Sequence, residues 1–416
     1  MLFRSTPHAS AGQRAAVVAA SLVLAHVTTL LIERPVRSMR VLTASNGHSL
    51  LVGAACIITS LSAASVVAVA TRHPTVDTGY VAPTIPSATT AATTVPPTVS
   101  PTGSNVGTAA GTTAVSSSTA TTTTLDPIEA LSAAEADRAQ LVAASVAYPI
   151  VPSNVEPPLE RQASDRPVVY ADGCLVGYGR QRVPPCVYGD ANSPTTIALL
   201  GDSHVAQWFP AVLAAAVEHH WRLVVVTKMG CPGLPLPVTY DHDVPYPDCT
   251  AWQPAAIERV LSEHPAIVIM GNWRAKYSLD LGGKSGYITD QRWTSAYTDV
   301  ITPLRAAGTR VLLLSDAPIA RMQVDQCLSA HLRNTAPCTT SVEMAIDQHA
   351  NDVLREVAQR TGSTFHDTAS WFCTATVCPP IVGNIAVYLN DNHINATYAE
   401  TLTPLMEPVL EAVLRT

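Results

Sequence analysis

The chain has 416 residues, a formal net charge of −7 and only 14% charged side chains. Soluble globular chains carry roughly 25% charged residues, so membrane spans or uncharged low-complexity tracts are expected to dilute the charge. The basic residues form no block beyond a short patch at Arg34–Arg40. This pattern excludes nucleic acid as an expected partner.

Two apolar runs lie near the N-terminus, at about 15–32 and 49–70. Each reaches the ~18 apolar residues that indicate a membrane helix. The loop Glu33–Arg40 between them carries three arginines, so the positive-inside rule places it in the cytoplasm. Residues 1–72 are therefore predicted to form a two-helix membrane hairpin, with the rest of the chain extracytoplasmic. A signal peptide is the alternative for the first run, but it fits poorly because a second full-length span follows.

The segment 73–125 consists mainly of Thr, Ser, Pro, Ala and Gly. Such a composition cannot bury enough apolar surface to fold, so the segment is predicted to be a disordered spacer, bare or glycosylated. The following segment, 126–164, is predicted to contain a helix and then an extended proline-rich connector.

Residues 165–416 alternate apolar strands with helices, which predicts an α/β domain with a mostly parallel sheet covered on both faces. Functional sites in such sheets lie at the carboxyl ends of the strands. The predicted strands are 195–200, 222–227, 265–270, 310–315 and 363–366. The predicted helices are 205–219, 251–264, 293–307, 342–360 and 395–415.

Eight of the nine cysteines follow the spacer, and an even number in an extracytoplasmic region predicts disulfides. Their clustering along the chain favours pairing between near neighbours. The predicted pairs are Cys174–Cys186, Cys231–Cys249, Cys327–Cys338 and Cys373–Cys378. Zinc binding through the last pair is the alternative, but no second ligand pair is evident, so no metal is expected.

The predicted strand 195–200 runs into Gly201-Asp202-Ser203-His204, and a helix follows. Ser203 would then lie in a strand-to-helix turn, where its N–H could face a developing oxyanion. A serine hydroxyl needs a neighbouring base to act as a nucleophile. The alternative is that Asp202 and Ser203 only cap the helix.

Asp391-Asn392-His393 precedes the last predicted helix. Asp391 could fix the tautomer of His393, whose other ring nitrogen would then accept the proton of Ser203. The alternative is an exposed turn, because Asn and Asp favour turns. His204 is the rival base, but adjacent residues in such a turn generally point apart, which favours His393. Asp316 ends the fourth predicted strand and is a lesser candidate for supporting the site.

Together these motifs resemble the SGNH hydrolase superfamily. More narrowly, they are similar to the SGNH domain fused to acyltransferase-3 membrane proteins, which O-acylate bacterial surface polysaccharides. The matching motifs are Gly201–His204, Thr227–Pro232, Asp172–Cys174 and Asp391–Ile394, and Glu33–Arg37 resembles the end of the acyltransferase-3 membrane domain. The resemblance implies a three-layer, flavodoxin-like α/β/α fold.

The resemblance also implies roles for individual residues. The N–H groups of Ser203 and Gly230 and the side chain of Asn272 would form the oxyanion hole. Asn272 departs from the family's usual spacing, and in the alternative it is a turn residue while its neighbours line a glycan pocket. The candidate substrate-binding residues are Asp202, His204, Trp273 and Arg274.

The expected function is O-acyl transfer, in particular O-acetyl transfer, to an extracytoplasmic cell-surface or cell-wall glycan. An O-acyl esterase acting on glycan or lipid is the alternative, and a non-catalytic glycan-binding module is a third possibility. No bound cofactor is expected, only an acyl donor that is derived from acyl-CoA or relayed. Most of the acyltransferase-3 membrane domain is missing, which indicates a truncated chain or a separately encoded membrane partner. The expected location is the cell membrane, with a multi-pass anchor.

Overall fold

The computed structural model describes residues 76–85, 126–240 and 244–416. These residues all fall within the unit His73–Thr416. Both predicted membrane spans lie outside them. Within the described ranges, no helix combines the length and the apolar character that crossing a membrane requires.

The elements follow the alternation expected from the sequence. The strands are β1 Leu175–Val176, β2 Val187–Gly189, β3 Thr196–Gly201, β4 Arg222–Lys228, β5 Val238–Tyr240, β6 Val244–Pro245, β7 Ile267–Gly271, β8 Ser278–Asp280, β9 Ser285–Gly286, β10 Arg310–Leu314, β11 Thr340–Ser341, β12 Thr364–His366, β13 Val377–Cys378, β14 Ile381–Val382 and β15 Ile385–Ala386. The α-helices are α1 Pro127–Ala147, α2 Leu159–Gln162, α3 Ser203–Ala206, α4 Phe209–Glu218, α5 Pro247–Ser262, α6 Asp290–Ala306, α7 Val324–Ala330, α8 Val342–Ala345, α9 Gln348–Thr361, α10 Ala396–Glu400 and α11 Thr403–Arg415.

The central sheet has the strand order β1-β4-β3-β7-β10-β12, and β2 also pairs with β4. Every neighbouring pair along this order is parallel, whereas β2 runs antiparallel to β4. Gly201, the last residue of β3, is in register with Thr227 of β4 and Gly271 of β7. The carboxyl ends of the three strands therefore lie side by side.

Side chains of the sheet alternate between two apolar cores, one on each face. Ile197 and Leu199 of β3 belong to the core that also contains residues of α4 and α11. Ala198 and Leu200 belong to the core that contains residues of α5, α6 and α9. Burying a Val, Leu or Ile side chain contributes roughly 1.5–3 kcal/mol, so both faces stabilise the sheet. The α/β prediction, with a mostly parallel sheet between two helical layers, is confirmed.

Three predicted helices are each divided in two, and local chemistry explains the breaks. Pro210 occupies the first turn of α4 and Pro404 the first turn of α11, where a missing N–H costs nothing but continuing an earlier helix is disfavoured. Asp347 lies between α8 and α9, and its side chain accepts a hydrogen bond from the N–H of Ala350. This cap starts a new helix instead of extending the preceding one.

A short stretch of the predicted spacer, residues 76–85, packs against the domain. Ala82 and Ile85 are buried. The Ala82 N–H donates to Asn154 Oδ1 and the Ile85 N–H donates to Asn384 Oδ1, both at 3.0 Å. We call residues 76–85 the strap, and Asn384 is its deepest polar anchor, with 1% exposure.

All four predicted disulfides are present. Their Cα–Cα distances run from 4.1 to 5.8 Å, and the pairs are Cys174–Cys186, Cys231–Cys249, Cys327–Cys338 and Cys373–Cys378. The thiols of Cys373 and Cys378 are therefore joined to each other rather than offered to a metal. Disulfides that persist belong to oxidising compartments.

The anchoring of the strap predicts a stability effect at Asn384. Asn384→Ala removes the acceptor of the buried Ile85 N–H, and leaving such a group unpaired costs about 1–3 kcal/mol. We expect the free energy of unfolding to fall by that amount in a denaturant titration. Asn334→Ala, at an exposed turn, is the matched control and should stay within about 0.5 kcal/mol of the wild type. Equal losses in the two variants would show that the strap contributes nothing.

Candidate active site

Ser203 is the first residue of the short helix α3, and only Asp202 separates it from the end of β3. Asp202 caps this helix by accepting the His204 N–H at 2.8 Å. The turn depends on Gly201, because a Cβ there would lie 2.7 Å from the Gly271 carbonyl oxygen. The nucleophile predicted from sequence thus lies at the carboxyl edge of the sheet, with its N–H in the unpaired first turn of a helix.

Ser203 and His393 are in hydrogen-bond contact although 190 positions separate them. His393 Nε2 lies 2.9 Å from Ser203 Oγ, within the range that proton transfer requires. The loop that carries His393 is held by Gln207, whose Oε1 accepts the Ile394 N–H at 3.1 Å. Gln207 is one helical turn after Ser203, so a single short segment positions both members of the pair.

The residue next to the other ring nitrogen differs from the expectation. Asn390 Oδ1 lies 3.3 Å from His393 Nδ1 and also accepts the N–H groups of Asn392 and His393. The Asp391 carboxylate accepts instead from Asn392 Nδ2 at 2.9 Å. The structure therefore forms the predicted Ser203–His393 pair but puts the amide of Asn390, not the carboxylate of Asp391, beside the imidazole. The reason is local: Asn390 Oδ1 closes an Asx-type turn, and this turn directs the next side chain away from the ring.

Asp202 and His204, predicted to contact substrate, are both inside the protein. Asp202 is 1% exposed, and its Oδ2 accepts from the Trp273 N–H at 3.1 Å and the Tyr277 hydroxyl at 2.5 Å. His204 is 3% exposed, and its Nδ1 lies 2.8 Å from Asp316 Oδ1. These side chains connect the turn of Ser203 to the ends of β7 and β10. In this structure they hold the site in place from inside the protein instead of contacting substrate.

His204 and Asp316 form a second imidazole–carboxylate pair behind the first. The His204 ring lies 4.5 Å from the His393 ring and is stacked on Trp273 at 5.1 Å, measured between ring centroids. Burial acts most strongly to lower the pKa of His204, but the charge and hydrogen bond of Asp316, with the charge of Asp202, leave the pKa raised. His204 is thus biased toward the imidazolium form.

The pKa of His393 is shifted in the opposite direction. Burial and then the positive charges of His204 and Arg166 hold the pKa of His393 well below its usual 6.5. At neutral pH the ring is therefore uncharged, and Nε2 can accept the Ser203 proton. Two neighbouring imidazoles with pKa values pushed apart are typical of an acid–base site.

The two further oxyanion candidates lie just after the strands that flank β3. Gly230 follows β4 and has φ +57°, a conformation that favours glycine. The adjacent Cys231 is tied to Cys249, which fixes the position of this loop. Asn272 follows β7, and its Nδ2 donates to the Tyr297 hydroxyl at 2.7 Å. Because an amide nitrogen carries two protons, Asn272 keeps one donor for an oxyanion.

Trp273 and Arg274 line a cleft of about 330 Å³, and Asn272 and Asp316 line it as well. The cleft thus borders the oxyanion candidate and the carboxylate behind His204. The charge of Arg274 is already engaged, because its guanidinium donates to Asp290. Trp273 and Arg274, both predicted to bind substrate, therefore line the same cleft beside the site.

Gln207 and Asn390 are absent from the site residues predicted from the sequence, among which Asp316 has only a minor place. Gln207 had a detectable signal, since it is a lone amide in an apolar helical run and lies four residues after Ser203, on the same helical face. Asp316 is separated by one residue from the end of the strand Arg310–Leu314, at the edge of the sheet where sites are expected. Asn390 had no separate signal, because three consecutive Asn and Asp residues are equivalent in a turn.

Comparisons with known proteins identify a family and several solved structures to which this chain is similar. A profile of the family described as "SGNH domain (fused to AT3 domains)" matches residues 173–408. The comparison with curated proteins gave no match. Among solved structures, the periplasmic domain of a lipopolysaccharide acetyltransferase from Salmonella ser. Paratyphi A is 13% identical, with a TM-score of 0.41, and the alignment covers 58% of this chain and 88% of that one.

Two further solved structures are similar at the same level. One is a putative acylhydrolase from Bacteroides fragilis, 14% identical with a TM-score of 0.34, covering 55% of this chain and 91% of that one. The other is a catalytic mutant of an acetylxylan esterase from Geobacillus stearothermophilus, 12% identical with a TM-score of 0.30, covering 54% and 96%.

The contacts of Asn390 predict which residue orients His393. Asn390→Ala removes the acceptor beside Nδ1 and should lower kcat/KM for an aryl acetate by about 10²-fold, at the lower end of the range for losing acid–base geometry. Asn390→Asp keeps an acceptor oxygen and should restore most of that rate. Asp391→Ala should retain activity within about tenfold of the wild type. A loss at Asp391 as large as that at Asn390 would restore Asp391 as the orienting group.

The paired imidazoles predict a pH effect. Catalysis needs neutral His393, whose pKa is depressed, so the wild-type rate should persist below pH 6.5 and fall only as the pH reaches that lower pKa. His204→Gln removes one positive charge that depresses the pKa, so the acid limb of the kcat/KM profile should move to higher pH. His219→Gln, which breaks a surface pair with Glu407, should leave the limb in place. An acid limb at the same pH in His204→Gln as in the wild type would contradict the electrostatic coupling between His204 and His393.

Proposed function

Because the chain belongs to the family of SGNH domains fused to AT3 domains, we propose that it is an O-acyltransferase of extracytoplasmic glycans that works through an acyl ester on Ser203. The observation that supports this most directly is the 2.9 Å contact between Ser203 Oγ and His393 Nε2. It provides a nucleophile and its base at the sheet edge where such sites lie.

In the first half-reaction, Ser203 Oγ attacks the carbonyl carbon of an acyl donor while its proton passes to His393 Nε2. The oxyanion of the tetrahedral intermediate accepts hydrogen bonds from the N–H groups of Ser203 and Gly230 and from the Asn272 amide. Each such donor is typically worth about 10²–10³ in rate. The intermediate then expels the donor's leaving group, which takes the proton from His393, and the acyl group stays on Ser203.

In the second half-reaction, a sugar hydroxyl attacks the Ser203 ester. His393 accepts the proton of that hydroxyl and returns it to Ser203 Oγ as the ester bond breaks. The products are the O-acylated sugar and free Ser203. If water attacks instead, the same groups produce an esterase, so the identity of the acceptor separates the two functions.

The proposed setting is the outer side of a cell membrane. The four disulfides support an oxidising compartment. The two predicted membrane spans within 1–72 would hold the domain near the membrane, and a separately encoded acyltransferase-3 protein is a suitable source of the relayed acyl group. The groups around Ser203 need no bound cofactor for this chemistry.

The proposal predicts that acyl turnover depends on Ser203 and on an acceptor. The full-length chain in detergent is incubated with p-nitrophenyl acetate, with and without soluble glycans, and acylated sugar is measured by mass spectrometry. Ser203→Ala should lower both nitrophenol release and sugar acylation by about 10⁴-fold or more. Ser262→Ala, an exposed serine at the end of α5, should match the wild type.

The same experiment separates the alternatives. Nitrophenol release without any acylated glycan, whatever acceptor is supplied, would favour the esterase. Undiminished release by Ser203→Ala would overturn the serine mechanism and leave a non-catalytic glycan-binding module as the better account.

A further inference from the structure

Tyr178, Tyr240 and Tyr246 form an aromatic cluster near the loop that follows β4. Their ring centroids are 5.0 Å apart for Tyr178 and Tyr240, 5.5 Å for Tyr178 and Tyr246, and 5.7 Å for Tyr240 and Tyr246. Tyr246 is buried, whereas Tyr178 is 49% exposed and Tyr240 is 36% exposed. The cluster therefore presents two aromatic rings to solvent, and a third, buried ring supports them.

The strand register places this cluster at the same edge of the sheet as Ser203. The last residues of β1, β4 and β3 are in register to within one position. Tyr178, Gly230 and Ser203 each lie two residues beyond the ends of these three strands. Neighbouring strands are about 4.8 Å apart, so the ends of β1 and β3 are about 10 Å apart across the sheet. A short oligosaccharide spans such a distance.

Tyr178 lies directly against the oxyanion candidate Gly230. A Cβ on Gly230 would be 3.0 Å from the Tyr178 hydroxyl oxygen and 3.5 Å from an atom of its ring. The Tyr246 hydroxyl donates to the Met229 carbonyl oxygen at 2.9 Å, so the buried ring of the cluster holds the same loop. A molecule that lies on the two exposed rings would therefore be next to the loop proposed to bind the oxyanion.

A buried lysine fixes the position of Tyr178. Lys228 Nζ donates to the carbonyl oxygens of Gly177 at 2.9 Å and Arg180 at 2.6 Å, which lie on either side of Tyr178 in the chain. The same ammonium group lies 5.2 Å from the centroid of the Tyr246 ring, within the range of a cation–π contact. A surface held in this way loses little conformational entropy when a ligand binds to it.

The chemistry of the two exposed rings favours a sugar as the bound molecule. A tyrosine side chain combines an apolar ring face with a hydroxyl group at its end. A sugar ring has the matching arrangement, because its C–H faces are surrounded by hydroxyl groups. An acyl chain would cover the tyrosine hydroxyls without offering them a hydrogen bond, which is unfavourable. Tyrosine also supplies a large contact area at a low cost in side-chain entropy.

We infer that Tyr178 and Tyr240 form a stacking surface for a sugar ring of the acceptor glycan, next to the loop after β4. The inference rests on the proposed acyl transfer, because it names the place where the molecule that attacks the Ser203 ester is bound. Lys228 is a positioning residue in this arrangement, since it is buried and acts on the glycan only through Tyr178.

Binding of oligosaccharides to the full-length chain in detergent tests the inference without any turnover. The Ser203→Ala chain is titrated in a calorimeter with maltotriose, cellotriose, xylotriose, mannotriose and chitotriose. We expect at least one of these trisaccharides to bind saturably, because stacking on an aromatic ring uses the C–H face that all sugar rings have. The absence of binding to every trisaccharide would overturn the inference.

Substitutions then locate the binding site. Tyr178→Leu and Tyr240→Leu each remove a ring and should weaken trisaccharide binding about three- to tenfold, the equivalent of one aromatic contact. Tyr178→Phe and Tyr240→Phe keep the ring faces and should bind within about twofold of the parent chain. Tyr148→Leu, at a 62% exposed tyrosine after α1, is the control. Unchanged affinity in both leucine variants, with normal thermal unfolding, would place the sugar elsewhere.

The design keeps two failures apart. If trisaccharide binding depends on Tyr178 and Tyr240 but the wild-type chain never acylates a glycan, the stacking surface stands and the transferase proposal fails. If the wild type acylates a glycan and both leucine variants do so with an unchanged KM for that acceptor, the transferase stands and the stacking surface fails.

Discussion

The buried carboxylate of Asp202 is the interaction on which the site depends. Its two oxygens accept hydrogen bonds from the His204 N–H, the Trp273 N–H and the Tyr277 hydroxyl. Burial raises its pKa, against the lowering effects of the His204 charge and the Tyr277 hydrogen bond. A carboxylate without such partners would be costly to bury. Because all three donors belong to the turn of Ser203 or to the loop after β7, Asp202 makes these two segments one rigid unit.

The unit formed by the turn of Ser203 and the loop after β7 also connects the catalytic residues to the cleft. Trp273 stacks on His204 and also lines the cleft beside the site. His204 in turn lies against His393. A change in the position of Trp273 would therefore reach His393 through two ring contacts.

Much of the fold could be predicted from the sequence, because buried parallel strands are short apolar runs and the intervening helices are amphipathic. The predicted strand 195–200 is observed at Thr196–Gly201, one residue later at each end, and the four disulfides join neighbouring cysteines, as their clustering predicts. The helix 342–360 was predicted as continuous because the capping role of Asp347 shows only in three dimensions. Local turn chemistry competes with helix propensity at such positions.

The site was predictable in its outline and not in its detail. Ser203 and His393 are identified by their motifs, since a strand-to-helix turn and a loop before the last helix converge at the same sheet edge. Either Asn390 or Asp391 could direct its side chain to the His393 ring, and the sequence does not determine which of the two does so.

The strap changes how the length of the low-complexity region affects the domain. Residues 85 and 126 both belong to the same unit as the catalytic domain, and the strap is anchored through Asn154 and Asn384. The 40 residues from 86 to 125 therefore connect two positions that belong to the same folded unit. Lengthening such a closed segment twofold costs only about 0.6 kcal/mol of closure entropy. Insertions and deletions between residues 85 and 126 are therefore expected to cost the folded domain little, because both of these positions belong to it.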